Sequence, residues 1–185
     1  MKTILLLISY ILIPVFHSIH SDGTDNPAGE HNYPVPQRNE KLLFFVQRTH
    51  NRNTIAYELN LKPDGTINQG NPLHAYWIRY EEGGQRKELS SIQRMLYGLE
   101  IQKGEKGRYS FHFKYYKKKE LYLVPAVKAN SYKTMIVING KMAEFTHLFI
   151  ASVTNSLGVP SSVKYIDIYG IDPASGSAVN ERVIP

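Results

Sequence analysis

The side chains able to do chemistry crowd into one stretch, residues 74–94, which holds His74, Trp77, Arg79, Glu81, Glu82, Arg86, Lys87, Glu88 and Arg94. Arg79 shares strand parity with Leu73, Ala75 and Trp77. If that face is the core, Arg79 points inward and needs a partner, because an unpaired buried charge is costly. Asp167 raises the same question, sharing parity with Val163, Tyr165 and Tyr169. An inward Arg79–Asp167 pair is one expectation; a structural ion pair or an exposed arrangement without a pair is favoured over a ligand-binding arginine, since internal ion pairs also resemble sites. Trp77 and Tyr97 offer stacking area, and Arg79 and Arg94 can grip an anionic group. Trp77, Arg79, Arg94, Tyr97 and Asp167 form the candidate ligand site.

Other chemistries fit less well. Glu81 and Glu82 are adjacent and precede Gly83 and Gly84, whereas glycoside hydrolysis needs two carboxylates facing each other across a cleft. His31, His50, His74, His112 and His147 lie too far apart in sequence to form a metal-binding pair. Nucleophile-elbow, Walker and dinucleotide glycine patterns do not occur. Residues 106–113 echo the aromatic strand of RNA-recognition domains, but an arginine stands where that motif needs an aromatic. No catalytic residue, metal or cofactor is assigned, and no nucleic-acid partner is expected. Lys117, Lys118 and Lys119 read as a charged hairpin tip that blunts a sheet edge and touches anionic surfaces of an envelope.

The elements that must position these residues are mostly strands. In residues 54–62, Ile55, Tyr57, Leu59 and Leu61 alternate with Ala56, Glu58, Asn60 and Lys62. In residues 108–116, Tyr109, Phe111, Phe113 and Tyr115 alternate with Arg108, Ser110, His112 and Lys114. Such alternation marks half-buried strands. Residues 41–48, 73–80, 121–127, 132–138, 142–153 and 163–169 also read as strands, being rich in aromatic and β-branched side chains. Asn139-Gly140 between two of them is a type I′ hairpin signal. Leu89, Ile92, Met95 and Leu96 recur at helical spacing; Ser90 with Gln93 suggests a capping box, and Gly98 a C-terminal cap. A short helix over residues 90–97 should plug or flank the sheet. The pattern implies a mainly β domain: an antiparallel β-barrel or two-sheet sandwich of about eight strands with one short helix.

The ends of the chain carry different information. Lys2, the apolar run 3–16 and the small residue Ser21 before a polar stretch read as a signal peptide over residues 1–21, cleaved at Ser21-Asp22. Its core is shorter than the about 20 apolar residues that span a bilayer, and no later segment approaches that length. Residues 22–40, with their prolines and glycines, read as a flexible tether, and residues 41–185 as a single domain. The 185-residue chain has a formal net charge of +6 and no cysteine. Disulfides, thiolate metal sites and a cysteine nucleophile are thereby excluded. Export without cysteine points to a periplasmic or secreted bacterial protein.

Several blocks in order carry a resemblance: Phe44-Phe45-Val46-Gln47-Arg48, Asn53-Thr54, residues 72–80, Leu89-Ser90-Ser91-Ile92-Gln93-Arg94, Tyr97-Gly98 and residues 163–170. Together they resemble an uncharacterised family of exported bacterial proteins catalogued as a domain of unknown function. The resemblance covers about residues 41–184 and implies an exported single domain, with no activity to transfer. The residues themselves favour a non-enzymatic exported binding module, for an unidentified ligand or envelope component. The alternatives are a structural or interaction protein of the bacterial envelope, and a hydrolase using Glu81, Glu82, His74 or Asp167 as acid and base.

Overall fold

The computed structural model describes residues 33–128, 130–154 and 160–185. The expected leader and most of the expected tether lie outside the described residues. Among the described residues, eleven strands form one sheet: β1 (Leu42–Arg48), β2 (Asn51–Leu59), β3 (Leu73–Arg79), β4 (Gln85–Glu88), β5 (Leu99–Lys103), β6 (Tyr109–Phe113), β7 (Tyr116–Pro125), β8 (Tyr132–Ile138), β9 (Lys141–Thr154), β10 (Pro160–Ile171) and β11 (Ala178–Val183). A single-turn 3-10 helix, Tyr80–Glu82, and one α-helix, α1 (Ser91–Tyr97), interrupt them.

Nine strands run in the order β4-β3-β2-β1-β9-β8-β7-β6-β5, curled into a half-barrel, while β10 pairs with β9 and β11 with β10. The spine is β9. Its first residues pair with β8, its later ones, His147 to Ile150, with β1, and β10 follows its opposite edge. Two arms, β1–β4 and β5–β8, thus spring from one long strand. Their concave faces share a core in which Phe44 of β1 stacks on Tyr57 and packs against Phe111, Phe113 and Phe145.

The fold departs from expectation in three respects. The sheet has eleven strands rather than about eight, and a two-sheet sandwich is not what forms. The expectation of antiparallel neighbours fails at one junction, because β1 and β9 pair parallel. A parallel pair needs a long crossover, and here the whole chain between the two strands supplies it. Of the three unforeseen strands, β4 is polar or charged and exposed throughout, while β5 and β11 bring only the partly buried Leu99 and Ile101, and Val179 and Val183, to the core, too short a period to mark a strand.

Local chemistry explains the details. Asn139 and Gly140 both take positive φ, 48° and 78°, as the expected hairpin turn requires. Ser90 and Gln93 form the full capping box. Gly98 follows α1 in extended geometry rather than as a left-handed cap; a Cβ there would come within 2.2 Å of the Arg94 carbonyl oxygen. Gly170 is needed for close approach, since a Cβ would meet the Glu144 carbonyl and the Ile138 side chain, both at 2.8 Å. Tyr115, expected on a strand face, is 66% exposed because the chain turns at Lys114 and Tyr115.

A second packed layer lies on the convex side. Phe45, His147 and Tyr169 stack face to face across β1, β9 and β10, with centroids 4.8 and 4.2 Å apart. These separations are close to the interstrand spacing, as for side chains in register across neighbouring strands. Residues 33–36, part of the expected tether, lie against this layer. Tyr33 packs on Phe149 at 5.3 Å, Gln47 donates its amide to the Pro34 carbonyl at 2.9 Å, and Pro36 is buried.

Candidate functional site

The concave face ends in a charged rim. Across arm β1–β4, the register aligns Val46, Ile55, Trp77 and Lys87 in one row. Val46, Ile55 and Trp77 belong to the core. One step further along β1 and β3 the same parity places Arg48 and Arg79. Alternation therefore carries two guanidiniums onto the inward face where the apolar core stops. Between this rim and the start of α1 lies a cavity of about 460 Å³. Arg48, Asn53, Trp77, Arg79, Lys87 and Gln93 are among the residues that line it.

Arg48 is the centre of this cavity. Its guanidinium carbon sits 5.0 Å from the Trp77 ring centre and 5.5 Å from that of Tyr97, and it donates to the Tyr97 hydroxyl. Trp77 and Tyr97 meet edge to face at 6.0 Å. Tyr97 is held from below by the Tyr57 hydroxyl, which donates to the Tyr97 carbonyl at 2.7 Å. Complete burial pushes the Tyr57 pKa well above its usual value, with Tyr97 adding to the shift, so this donor keeps its proton. Among the described residues no carboxylate lies within ion-pair distance of Arg48. Trp77 is 6% exposed, and its buried indole N–H has no acceptor among the described residues.

The surrounding acids are already engaged. Glu82 pairs with Arg79, Glu81 with the Asn53 side-chain amide, and Glu88 with His74 Nε2 at 2.9 Å. Glu58, buried among these strands, takes Arg86 at 2.6 Å. Burial, with the Glu58 charge adding to it, pushes Tyr76 beside this pair up to about 12. The lining sets Arg48, Arg79 and Lys87 against a single acid, Glu88, and is net cationic; Arg48 and Lys87 have no carboxylate partner among the described residues, and Glu88 bonds His74.

The structure sorts the five candidates. Trp77 and Arg79 line the cavity, and Tyr97 cradles Arg48 at its base. Arg94 borders an adjoining cavity of about 250 Å³ with Tyr97 and Lys114. Asp167 stands apart. The expected Arg79–Asp167 pair does not form: Arg79 bonds Glu82 in the turn just after β3, and Asp167 is bidentate with Arg182 at 2.7 and 2.8 Å. Asp167 lies on the convex side of β10 and Arg79 on the concave rim, so shared inward parity was the wrong inference for Asp167. Its neighbours Ile166 and Ile168 are the residues that belong to the core.

Sequence reasoning missed Arg48, Asn53 and Lys87. Arg48 had a signal, since Phe44 and Val46 share its parity as Leu73 and Trp77 share that of Arg79. Lys87 lay within the charged stretch 74–94, and Asn53 had no signal. Glu81 and Glu82 sit on the exposed 3-10 turn rather than across a cleft from one another. The lysine run is not a hairpin tip but the start of β7; Lys117 pairs with Glu100 at 2.9 Å and Lys119 with Glu181 at 2.8 Å.

Fold and rim together define a class: a curled β-sheet domain with a cationic, aromatic-lined cavity at one end of its concave face. The chain belongs to the family described as domain of unknown function DUF4833, which it matches over residues 44–182. No curated protein and no solved structure matches it. Among the described residues no group of histidine and acidic side chains is placed to hold a metal, and no helix is long and apolar enough to cross a membrane.

Proposed function

We propose that this domain is an exported, non-enzymatic binding module, and that the Arg48–Trp77–Tyr97 cavity holds a small anionic ligand. One observation carries the reading. Arg48 is held against two touching aromatic rings without a carboxylate, so part of its hydrogen-bonding fork remains for a ligand. A carboxylate fits that fork in bidentate geometry. Arg79 and Lys87 add positive charge, Asn53 and Gln93 supply neutral donors and acceptors, and Trp77 offers a buried N–H. The ligand class is therefore an organic acid with a flat or ring-shaped body, such as a uronic acid or an aryl carboxylate. Delivery to the periplasm or medium by the leader would place the domain where such envelope-derived acids occur.

Trp77 is the only tryptophan in the chain, so its fluorescence reports on this cavity alone. Titration with galacturonate and with benzoate should give a saturable change in emission and a matching rise in thermal midpoint. Unchanged emission and midpoint for every acid in such a series would overturn the reading.

A further inference from the structure

Helix α1 carries a face that its own fold does not use. Ile92, Met95 and Leu96, spaced to lie together on one side, are 69%, 49% and 44% exposed, and no side chain of the helix is buried. The expected apolar seam thus divides: Leu89, just before the helix, is 2% exposed and enters the core, while the other three face outward. Three exposed cations and one acid, Glu88, which is held by His74, flank this face. Lys87 stands at the cavity on one side; Arg94 and Lys114 border the cavity on the other. The Lys114 side chain lies over Gly98 directly after the helix, and Tyr115 beside it is 66% exposed. Among the described residues Lys87, Arg94 and Lys114 have no ion-pair partner, whereas Lys117 and Lys119 are both engaged by glutamates.

From this placement we infer that α1 docks the domain on an anionic lipid surface. Ile92, Met95 and Leu96 enter the boundary between headgroups and acyl chains, and Lys87, Arg94 and Lys114 meet the lipid phosphates. Apolar side chains ringed by basic ones are the composition of interfacial segments, in which shallow insertion and surface charge act together. Size favours lipid over protein. A stable protein interface buries about 800 Å² per partner, and three side chains on a seven-residue helix offer far less. The inference goes beyond the cavity reading and does not require that the cavity hold a ligand.

The chain has no cysteine, so Ile92→Cys accepts an environment-sensitive dye at one position only. The isolated protein is mixed with vesicles of phosphatidylcholine alone, or of phosphatidylcholine and phosphatidylglycerol in equal parts. Blue-shifted dye emission and co-sedimentation are expected with the anionic vesicles, weakening as salt is added. A variant combining Ile92→Ser, Met95→Ser and Leu96→Ser should partition about tenfold less. A second, with Lys87→Glu, Arg94→Glu and Lys114→Glu, should lose the preference for phosphatidylglycerol. Far-UV circular dichroism confirms that each variant keeps its fold, as expected for exposed positions. Arg48→Met should leave vesicle partitioning unchanged while removing acid binding in the cavity, which separates the two readings. The inference is overturned if the unmodified protein ignores anionic vesicles or if the serine variant partitions equally well. It is also overturned if partitioning depends on Arg48, or if the serine variant instead abolishes a dimer in solution.

Discussion

Arg182 and Arg48, two of the three arginines that lie over aromatic rings among the described residues, meet opposite fates. Arg182 lies over Tyr165 at 3.8 Å and delivers both arms of its fork to Asp167, whose side chain is fully buried. Arg48 lies against the Trp77–Tyr97 pair and receives no carboxylate among the described residues. The first guanidinium has spent its fork inside the fold and serves stability. The second has been pre-oriented with its charge unneutralised, the condition under which an external anion can bind without displacing an internal partner.

The contrast can be broken most forcefully at Asp167. Asp167→Ala leaves Arg182 beside the convex layer with no counter-charge and should cost about 3 kcal/mol of stability, seen as a lower midpoint in urea. Acid-dependent Trp77 fluorescence should survive in the fraction that stays folded; its selective loss would join two sites that lie on opposite faces. Arg48→Met reverses the pattern. Its stability change should stay within about 1 kcal/mol, the worth of a partly exposed cation–π contact. Affinity for the cavity's acid should fall tenfold or more, a loss of about 1.4 kcal/mol. A large drop in stability with affinity unchanged would make Arg48 structural like Arg182.

A smaller effect tests how the cavity is walled. Ser90 accepts from the Gln93 backbone N–H at 3.3 Å, and the Gln93 side chain returns to the Ser90 N–H at 2.9 Å. Ser90→Ala should cost about 1 kcal/mol and loosen α1, raising hydrogen exchange in the helix while leaving the arm β5–β8 unchanged. The smallest is a pH effect. Burial works to raise the Glu181 pKa, but the Lys119 ammonium and the Asn139 N–H outweigh it and hold the carboxyl below its ordinary value of 4.5. A depressed carboxyl stabilises the fold above its unfolded-state value and loses that contribution as pH falls through the folded one. The stability gap between the protein and Glu181→Gln, about 0.5 kcal/mol at neutral pH, should narrow as pH falls below 4.5 and vanish once the folded carboxyl is protonated. A gap that persists in acid would assign it to packing.

Much of the scaffold was legible along the chain, and the reasons differ by element. Residues 54–62 announced β2 because its inward Ile55, Tyr57 and Leu59 meet the core while polar side chains alternate with them. Yet Ala56 and Glu58 are buried too, because neighbouring side chains cover the outer face of that arm, and one strand's period cannot report what covers its back. Strands β4 and β11 were invisible for the complementary reason. As peripheral members of the sheet, they are held by backbone hydrogen bonds to β3 and β10, β4 with no buried side chain and β11 with only the partly buried Val179 and Val183 on the core.

The site divides in the same way. Trp77 and Arg79 were recoverable because strand parity is a property of adjacent residues. Their companion Arg48 was equally readable by parity, but its significance needed Tyr97, which approaches from a distant helix end. Asp167 shows the limit of the method: alternating apolar residues on both faces of β10 left its direction undetermined.

What the amino-acid order settled by itself is short-ranged: alternating strands, the Asn139-Gly140 hairpin and the boxed start of α1. Each follows from steric and hydrogen-bonding preferences within a few residues. The parallel joining of β1 to β9, the partner of each arginine and the outward turn of Ile92, Met95 and Leu96 were decided only by the folded chain. Those outcomes depend on which surfaces meet after segments far apart in sequence have packed, and no local preference encodes that competition.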